Sequence, residues 1–239
     1  MARLRNDLDI YERHADEWWQ TESKTFRSLH QVNRLRLEVL QRWVPDEIRG
    51  RDLVDLGCGG GLLSEPLARM GARVIGIDIS GRSLQVAREH AAEFRARPRY
   101  LCADVRRTPL ASRSYQGVLL ADVLEHLNDP RTAIREASRL LQPGGWLYVN
   151  TINRTLLARC LVVSCAEGLG LIPRGTHDPR LFIRPAELTA VAAEAGLRRV
   201  EFIGEAPCVL GSLIDRAVRL RVSRSTAVAY SMLFRKERA

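Results

Sequence analysis

The sequence predicts an α/β fold, with a single doubly wound and mostly parallel sheet and an N-terminal helical cap. Short apolar segments alternate with amphipathic helical segments along the chain, which is the pattern of a parallel sheet with right-handed crossovers. Polar and glycine residues fall where the predicted strands end, at the edge where open α/β sheets bind ligands. The 239 residues are enough for one sizeable domain of this type.

The predicted elements fall into a cap and a sheet domain. Hydrophobic residues recur at helical spacing over residues 8–43, before Pro45 and Gly50, and predict a helical cap over residues 1–50. The sheet domain is expected over residues 51–239. Its predicted strands are residues 52–56, 73–77, 99–103, 117–121, 146–150, 199–203 and 227–234. Its predicted helices are residues 62–70, 83–95, 130–141 and 185–195, and the third should stop at the Pro-Gly-Gly of residues 143–145.

A less regular insertion at about residues 153–185 interrupts the sheet domain. Within it, residues 155–172 are apolar for roughly the length of a membrane span, but Arg159 and Glu167 interrupt them. We expect an amphipathic excursion and not a transmembrane helix. It would serve either as a lid over a substrate pocket or as an interfacial element at a membrane surface.

Composition indicates a globular protein of a reducing compartment. With 46% hydrophobic and 27% charged residues, the chain is expected to fold. The five cysteines form no CxxC pair, and the acidic N-terminus fits neither a signal nor a transit peptide, so we expect a cytoplasmic protein. The net charge of +9 is typical of a solvated surface, or of a protein that meets anionic partners. Aromatic residues are only 6% and do not interleave with basic stretches, so no nucleic-acid partner is expected.

A glycine-rich turn joins the first predicted strand to its helix, in the sequence Val54-Asp-Leu-Gly-Cys-Gly-Gly-Gly61. Glycines at such a turn let a ligand approach the backbone closely. A dinucleotide fingerprint would need a third glycine where this chain has Leu62, and a Walker lysine is missing as well. The turn therefore lacks the features of a polyphosphate site.

Three carboxylates surround this turn. Asp55 precedes the glycines, and Asp78 and Asp104 end the second and third strands. Asp78 follows Gly57 by about twenty residues, the spacing at which a carboxylate accepts ribose hydroxyls. Asp104 can accept from an adenine amino group, and Asp55 can lie near an ammonium group, although each acid alone fits a helix cap or surface charge equally well. Together they suit the sulfonium and amine of S-adenosylmethionine (SAM), whereas they would repel a polyphosphate.

Four further groups of residues carry a family resemblance. They are Ala15-Asp-Glu-Trp-Trp19 with Leu29-His-Gln-Val-Asn-Arg-Leu-Arg36; residues 55–78; Asp122-Val-Leu-Glu-His126 with Leu141-Gln-Pro-Gly-Gly145; and Thr151-Ile-Asn153 with residues 172–178 and 182–188. Through them the chain resembles class I SAM-dependent methyltransferases, whose fold is Rossmann-like. Within that class it resembles the ubiquinone-biosynthesis O-methyltransferases, which methylate hydroxyls of a polyprenylated ring. Many methyltransferases share the glycine turn, whereas the Trp-Trp and Pro-Arg-Gly-Thr-His-Asp segments are far more discriminating.

The predicted SAM contacts combine the residue pattern with this resemblance. The resemblance implies that Arg36 reaches the SAM carboxylate, a group that an arginine fork suits. The complete predicted set is Arg36, Asp55, Gly57, Cys58, Gly59, Asp78, Ile79, Asp104 and Ala121. The chain departs from the family after Gly204, where an aromatic-Asn-Pro stretch is replaced by Glu205-Ala-Pro-Cys208 and a basic segment. This departure leaves the acceptor open.

The predicted catalytic residues are Asp122, Glu125 and His126. A phenol with a pKa of about 10 is mostly protonated at neutral pH, so a base or a metal ion is needed. If a helical turn follows the fourth strand, the three side chains share one face and suit Mg²⁺, which the resemblance also implies. His126 is the favoured base or metal ligand, and a helix cap with a structural histidine is the alternative. His30 and His177 are expected either to shape an acceptor pocket or to pack.

The leading hypothesis is a SAM-dependent O-methyltransferase of a phenolic or catechol hydroxyl on a polyprenylated ubiquinone precursor, 2-polyprenyl-6-hydroxyphenol or 3-demethylubiquinol. Such an acceptor resides in the bilayer, so we expect transient contact with the inner face of the membrane, aided by the positive charge. The alternatives are the same chemistry on a phenolic natural product, a basic nucleic-acid methyltransferase, and a SAM-binding regulator.

Overall fold

The computed structural model describes residues 6–93 and 98–238. One eight-stranded sheet forms its centre, with the strand order β3-β2-β1-β4-β5-β8-β6-β7. The pairs among β1 to β5 are parallel, whereas β8, β6 and β7 extend the β5 edge through antiparallel pairs. The strands are β1 (Asp52–Leu56), β2 (Arg73–Asp78), β3 (Arg99–Cys102), β4 (Tyr115–Ala121), β5 (Leu141–Ile152), β6 (Leu197–Pro207), β7 (Leu220–Ser223) and β8 (Ala229–Lys236).

Helices cover both faces of the sheet, which confirms the predicted doubly wound α/β fold. The helices are α1 (Asp9–Arg13), α2 (Arg27–Trp43), α3 (Ser64–Arg69), α4 (Gly81–Ala91), α5 (Pro130–Leu140), α6 (Leu156–Ala158), α7 (Pro185–Glu194) and α8 (Val209–Ile214). Short 3-10 helices occupy Ala15–Glu17 and Leu124–His126, and a π-helix occupies Arg159–Ala166. Within the described parts of the chain, no helix has both the length and the apolar character needed to cross a membrane.

Side-chain alternation along the central strands builds two cores. In β1, Leu53 packs with α2 and α3 on one face, whereas Val54 packs with α5 and α7 on the other. In β5, Trp146 packs in the same core as Leu53, and Leu147 packs in the same core as Val54. Successive strand residues point to opposite faces, and because both faces are covered the strands are continuously apolar. This packing fixes the carboxyl ends of β1, β2 and β4 at one edge of the sheet.

The helical region predicted over residues 8–43 is present, but it is not one continuous helix. The segment divides into α1, the 3-10 helix and α2. A polar run at residues 20–25 separates the last two, and the backbone N–H of Thr25 donates to Ser23 Oγ at 3.1 Å. Serine side chains that bond nearby backbone groups in this way favour turns over helix. The predicted end of another helix, at Arg95, lies outside the described residues.

Differences also occur at the β5 edge. The strand β5 begins at Leu141 and includes the Pro-Gly-Gly sequence that was expected to end the preceding helix. Gly144 has a φ of +80° next to an irregularity in the pairing of β4 with β5, a backbone conformation that glycine adopts without strain. Neither α8 nor β7 is predicted by the sequence pattern; both follow Gly204, where the sequence departs from the family that it resembles.

The two adjacent tryptophans hold the N-terminal segment against the glycine turn. The indole Nε1 of Trp18 donates to Ser83 Oγ at 2.9 Å, and that of Trp19 donates to the Gly60 carbonyl at 3.0 Å. A Cβ at Gly59 or Gly60 would come within 2.5 Å or 2.3 Å of the Trp18 side chain. The glycines therefore serve the packing of the N-terminal segment as well as the approach of a ligand.

The Gly60→Ala variant is expected to lose stability, because its methyl group would lie 2.3 Å from Trp18 Cγ. Overpacking of this kind costs about 1–3 kcal/mol, so the melting temperature should fall by several degrees. Gly81→Ala is the matched control, since nothing lies within 4 Å of a Cβ there. Equal melting temperatures for the two variants would contradict the packing of Trp18 on the turn.

Candidate active site

Two adjoining cavities lie at the carboxyl edge of the sheet. The loop cavity, of about 380 Å³, is bordered by the glycine turn and by Trp18. The apolar cavity, of about 210 Å³, is bordered by the π-helix of the insertion and by α8. Five residues line both cavities and form their junction: Tyr11, Leu29, Arg36, Asp122 and His126.

The loop cavity brings together every residue predicted from the sequence to contact SAM. All of them line it: Arg36, Asp55, Gly57, Cys58, Gly59, Asp78, Ile79, Asp104 and Ala121. They come from α2, from the end of β1 and its turn, and from the residues at the ends of β2, β3 and β4. The sequence therefore located the site, and direct contact of each residue with a cofactor stays a prediction.

Asp78 organises the glycine turn. Its Oδ2 accepts from the backbone N–H of Gly59 at 2.8 Å, and its Oδ1 accepts from that of Ser80 at 2.9 Å. Burial raises the pKa of Asp78, and the backbone donors oppose that effect. The turn has positive φ angles at Gly57 (+80°) and Gly59 (+51°), a region that glycine occupies without strain. Asp78 thus joins the ends of β1 and β2 at the cavity wall.

The other two acids are held differently. Asp55 is buried, its Oδ2 accepts from Ser64 Oγ at 2.6 Å, and burial raises its pKa to about 6. Asp104 lies at the rim, where the guanidinium of Arg106 donates to both of its oxygens and lowers its pKa. Asp104 is therefore paired with a cation at an exposed rim, and should contribute less binding free energy than Asp78.

A buried ion pair joins α2 to the end of β4 at the junction of the cavities. Arg36 is only 3% exposed, and its Nη2 donates to Asp122 Oδ2. Its Nε donates to Asn150 Oδ1 at 3.1 Å, and its Nη1 donates to Asn33 Oδ1 at 2.7 Å. A guanidinium carries five N–H donors, so this fork retains donors for a ligand carboxylate. Asp122 has a φ of +53°, a strained conformation of the kind that clusters at functional sites.

Asp122, Glu125 and His126 do not share one face. Asp122 lies outside the helical turn, and the turn itself is a 3-10 helix, so the α-helical spacing assumed from the sequence does not apply. Glu125 is fully buried, accepts from Thr151 Oγ1 at 2.7 Å, and lines neither cavity. In residues 6–93 and 98–238, no three His, Cys, Asp or Glu side chains are grouped as metal ligands. The predicted Mg²⁺ site of Asp122, Glu125 and His126 is therefore not formed.

His126 lies at the junction, but its ring is already hydrogen-bonded. Asn6 Nδ2 donates to the His126 carbonyl at 2.9 Å, so Asn6 Oδ1, 3.0 Å from His126 Nδ1, accepts from that nitrogen. Burial, and then the nearby His177, lower the pKa of His126 to about 3. The imidazole is therefore neutral at pH 7 and is a weak base.

Comparisons with known proteins show that the chain is similar to methyltransferases. Residues 54–149 match the family model described as a methyltransferase domain. The ubiquinone biosynthesis O-methyltransferase of Chromobacterium violaceum is 39% identical, over 80% of this chain and 82% of that protein. The enzyme of the same name from Cupriavidus pinatubonensis is 38% identical, over 96% of this chain and 90% of that protein. The chain belongs to the ubiquinone biosynthesis O-methyltransferase family. It is therefore a SAM-dependent O-methyltransferase.

Solved methyltransferase structures share the fold of this O-methyltransferase. The magnesium protoporphyrin IX methyltransferase of Synechocystis PCC 6803, solved with bound S-adenosylhomocysteine, is 20% identical with a TM-score of 0.67, and 97% of this chain matches all of it. A SAM-dependent methyltransferase of Thermotoga maritima, described as a possible histamine N-methyltransferase, is also 20% identical with a TM-score of 0.67. That match covers 95% of this chain and 98% of the other.

Away from the junction, the apolar cavity of the O-methyltransferase is lined mostly by aliphatic side chains, with His177 among its polar residues. Its apolar residues come from α2, the insertion, α8 and the start of β8, and include Val32, Leu161, Val162, Ala166, Leu213 and Val228. His30 does not line it; its Nε2 lies 2.8 Å from the Trp18 carbonyl, in keeping with the packing role. Tyr11, which lines both cavities, was missed because a lone tyrosine in a short helix gives no sequence signal.

Glu205 begins the segment after Gly204 in which the sequence departs from the pattern expected from the resemblance. It lies behind the junction of the two cavities. It is 1% exposed, and its Oε1 accepts from Asn150 Nδ2 at 2.8 Å and from Ser231 Oγ at 2.6 Å. Asn150 in turn accepts from Arg36. The Glu205 carboxylate thus belongs to a buried hydrogen-bond network of this O-methyltransferase and does not lie at its surface.

Glu125→Gln is expected to stabilise the O-methyltransferase at alkaline pH. Burial, and then Asp122, raise the pKa of Glu125 from 4.5 to about 8. The stability that the protonated carboxyl contributes is full below pH 4.5 and is lost as the pH rises through about 8. The melting temperature of the variant should therefore be close to that of the wild type at pH 5, and at least about 4 °C higher at pH 9.

The control for this measurement is Glu136→Gln. The Glu136 carboxyl is bonded to Thr108 and Arg139, and its pKa is lowered, so its replacement should destabilise the protein at pH 9. A difference between Glu125→Gln and the wild type that is equal at pH 5 and pH 9 would contradict the burial of an ionisable group at Glu125.

Proposed function

We propose that this enzyme transfers the methyl group of SAM to a ring hydroxyl of a polyprenylated phenol or catechol, a precursor of ubiquinone. The observation that carries this proposal is the junction of the two cavities. A cofactor in the loop cavity and an acceptor in the apolar cavity would meet beside Arg36, Asp122 and His126. The names of the relatives support the same class of acceptor.

The chemistry of the loop cavity fits SAM. Asp55, Asp78 and Asp104 provide negative charge for a cationic ligand, and the glycine turn lets that ligand approach the backbone. We assign the ribose to Asp78, the adenine to Ile79 and Asp104, and the methionine carboxylate to Arg36. Ile79 is 73% exposed beside Asp78 and offers an apolar surface for a flat ring. Bound SAM supplies an electrophilic methyl group on a positively charged sulfur.

The protein's own contribution is positioning. The pairing of Arg36 with Asp122 fixes the junction from two sides, and the backbone N–H of Asp122 donates to the Asn150 carbonyl at 3.1 Å. Trp18 covers the glycine turn and limits access of water to the loop cavity. Holding two reactants in line can supply several kcal/mol of the barrier reduction, about 7–11 kcal/mol in the best intramolecular cases.

The apolar cavity suits an isoprenoid chain. Its lining is dominated by leucine, valine, isoleucine and alanine side chains, with few polar groups. Burying one five-carbon isoprene unit from water is worth roughly 3–4 kcal/mol at about 0.8 kcal/mol per carbon. The acceptor's ring hydroxyl would then lie toward the polar junction and its tail toward the insertion and α8.

We propose also that the face formed by the insertion and α8 contacts the membrane surface. Leu156, Leu210 and Ile214 on these elements are 83%, 72% and 70% exposed, and apolar groups in such number mark interaction surfaces. The basic residues that follow α8 would interact with anionic headgroups: Arg216, Arg219, Arg221 and Arg224.

A vesicle experiment tests this contact. The wild type should sediment together with phosphatidylglycerol vesicles. The fraction of the Leu210→Ser/Ile214→Ser variant that the vesicles retain should be at least about fivefold lower, since each lost side chain weakens insertion. Ile79→Ser is the control, since Ile79 is 73% exposed but lies at the end of β2, outside the insertion and α8. Equal retention of all three proteins would argue against the assigned surface.

The acceptor assignment is tested with two catechols that differ in one feature. One carries a short prenyl chain, and the other lacks it. Methyl transfer should occur to both, with kcat/KM at least about 100-fold higher for the prenylated compound because the chain fills the apolar cavity. Equal kcat/KM values would indicate a soluble phenol as the acceptor, and methylation of RNA alone would indicate a nucleic-acid enzyme.

A further inference from the structure

His177 and Glu167 form a second polar group at the apolar cavity, next to the junction. His177 lines the cavity, and its ring centroid is 5.3 Å from that of His126. Glu167 follows the π-helix of the insertion and is only 2% exposed. A buried carboxylate beside a histidine at a π-helix requires a reason, since both features are enriched at functional sites.

Glu167 positions the loop that carries His177. Its Oε2 accepts from the backbone N–H of Gly175 at 2.9 Å, and its Oε1 accepts from that of His177 at 3.3 Å. The same Oε1 lies 3.6 Å from His177 Nδ1. One carboxylate thus holds the backbone of the loop that carries His177 and lies beside its ring.

The hydrogen bonds also determine which His177 nitrogen carries the proton. The Thr176 hydroxyl donates its only hydrogen to the Pro173 carbonyl at 3.0 Å. Because Thr176 Oγ1 lies 2.9 Å from His177 Nδ1, that nitrogen must be the donor. The lone pair of the neutral ring therefore resides on Nε2, and no described residue is hydrogen-bonded to Nε2.

His126 is less suited to accept a proton than its position suggests. Its Nδ1 is bonded to Asn6, and the effects that favour a protonated ring, from Asp122 and from the backbone of Thr176, are the smaller ones. Burial, and the proximity of His177, disfavour a positive charge on it. Glu167 Oε1, in contrast, lies 3.6 Å from His177 Nδ1.

We propose that His177, oriented by Glu167, is the general base that takes the proton of the acceptor hydroxyl. This role rests on the proposed function. The hydroxyl proton passes to His177 Nε2 and the oxygen forms a bond to the methyl carbon. The bond between that carbon and the sulfur breaks with its electron pair on sulfur. The imidazolium, stabilised by Glu167, then releases its proton to water.

The test compares two prenylated catechols, one ordinary and one bearing a nitro group that leaves its ring hydroxyl ionised at the assay pH. An ionised acceptor needs no base. His177→Ala and His177→Gln should lower kcat at least about 100-fold with the ordinary acceptor, but less than about 10-fold with the nitro acceptor. Added imidazole should restore activity to His177→Ala, and Glu167→Gln should lower kcat about 10-fold with little change in KM.

Calorimetric binding of S-adenosylhomocysteine shows that each variant is folded, and its affinity should stay within about threefold of the wild type. His14→Ala is the control, since His14 pairs with Glu17 and lines neither cavity. Equal losses with both acceptors in both His177 variants would overturn the assignment of the base. A wild type that binds S-adenosylhomocysteine but methylates neither catechol would instead overturn the proposed function, and this role with it.

Discussion

Asp78→Ala is expected to weaken the binding of S-adenosylhomocysteine at least about 100-fold, which corresponds to roughly 2.7 kcal/mol. The substitution removes the carboxylate that we assign to the ribose hydroxyls. It also removes the acceptor for the backbone N–H groups of Gly59 and Ser80, so Gly59 loses its hydrogen bond to the end of β2. Both losses act on the same cavity. Hydrogen bonds to a charged acceptor are worth about 1.5–3 kcal/mol each, which is enough for an effect of this size.

Isothermal titration calorimetry measures this effect, and Asp104→Ala is the matched control. Asp104 lines the same cavity, but its oxygens are bonded to Arg106. Its replacement should weaken binding only about 3- to 10-fold, as expected for a partly exposed and shared acceptor. If Asp78→Ala bound S-adenosylhomocysteine as well as Asp104→Ala did, the ribose would have to be assigned elsewhere.

Ala166→Phe is expected to separate acceptor use from cofactor binding. Ala166 is buried in the wall of the apolar cavity, and a phenyl ring there would occupy much of the roughly 210 Å³ available. Since a misfit of even one methylene group in an apolar pocket costs about 10- to 200-fold, kcat/KM for a prenylated catechol should fall at least about 10-fold. The affinity for S-adenosylhomocysteine should not change, because Ala166 does not line the loop cavity.

Leu156→Phe is the control for this prediction. Leu156 belongs to the same insertion, but it is 83% exposed and does not line the apolar cavity. Steady-state kinetics with a short-chain prenylated catechol should therefore give near wild-type values for it. Loss of S-adenosylhomocysteine binding in Ala166→Phe would mean that the two cavities are not separate sites.

The central sheet and the cofactor side of the site were predictable because local patterns encode them. Three patterns can be recognised from their spacing without knowledge of the fold: apolar strands buried on both faces, glycines at a turn, and acids at strand ends. Asp55, Asp78 and Asp104 lie far apart in sequence, yet parallel strands bring their ends to one edge. That rule is enough to assemble the loop cavity.

The acceptor side was less predictable because it depends on long-range packing. The face shared by Asp122, Glu125 and His126 was inferred from an α-helical turn, whereas the left-handed φ of Asp122 moves it out of that register. The pairing of Glu167 with His177 joins an insertion to a distant loop, and no spacing rule connects them. The helix α8 has six residues and exposes most of its apolar side chains, so it has no buried face to produce a periodic signal.

The most direct test of the proposed activity is mass-spectrometric identification of the quinone precursors in cells from which this gene is deleted. We predict accumulation of a polyprenylated ring that lacks one O-methyl group, reversed by the wild-type gene and not by Asp78→Ala. An unchanged ubiquinone pool with no such intermediate would contradict the account.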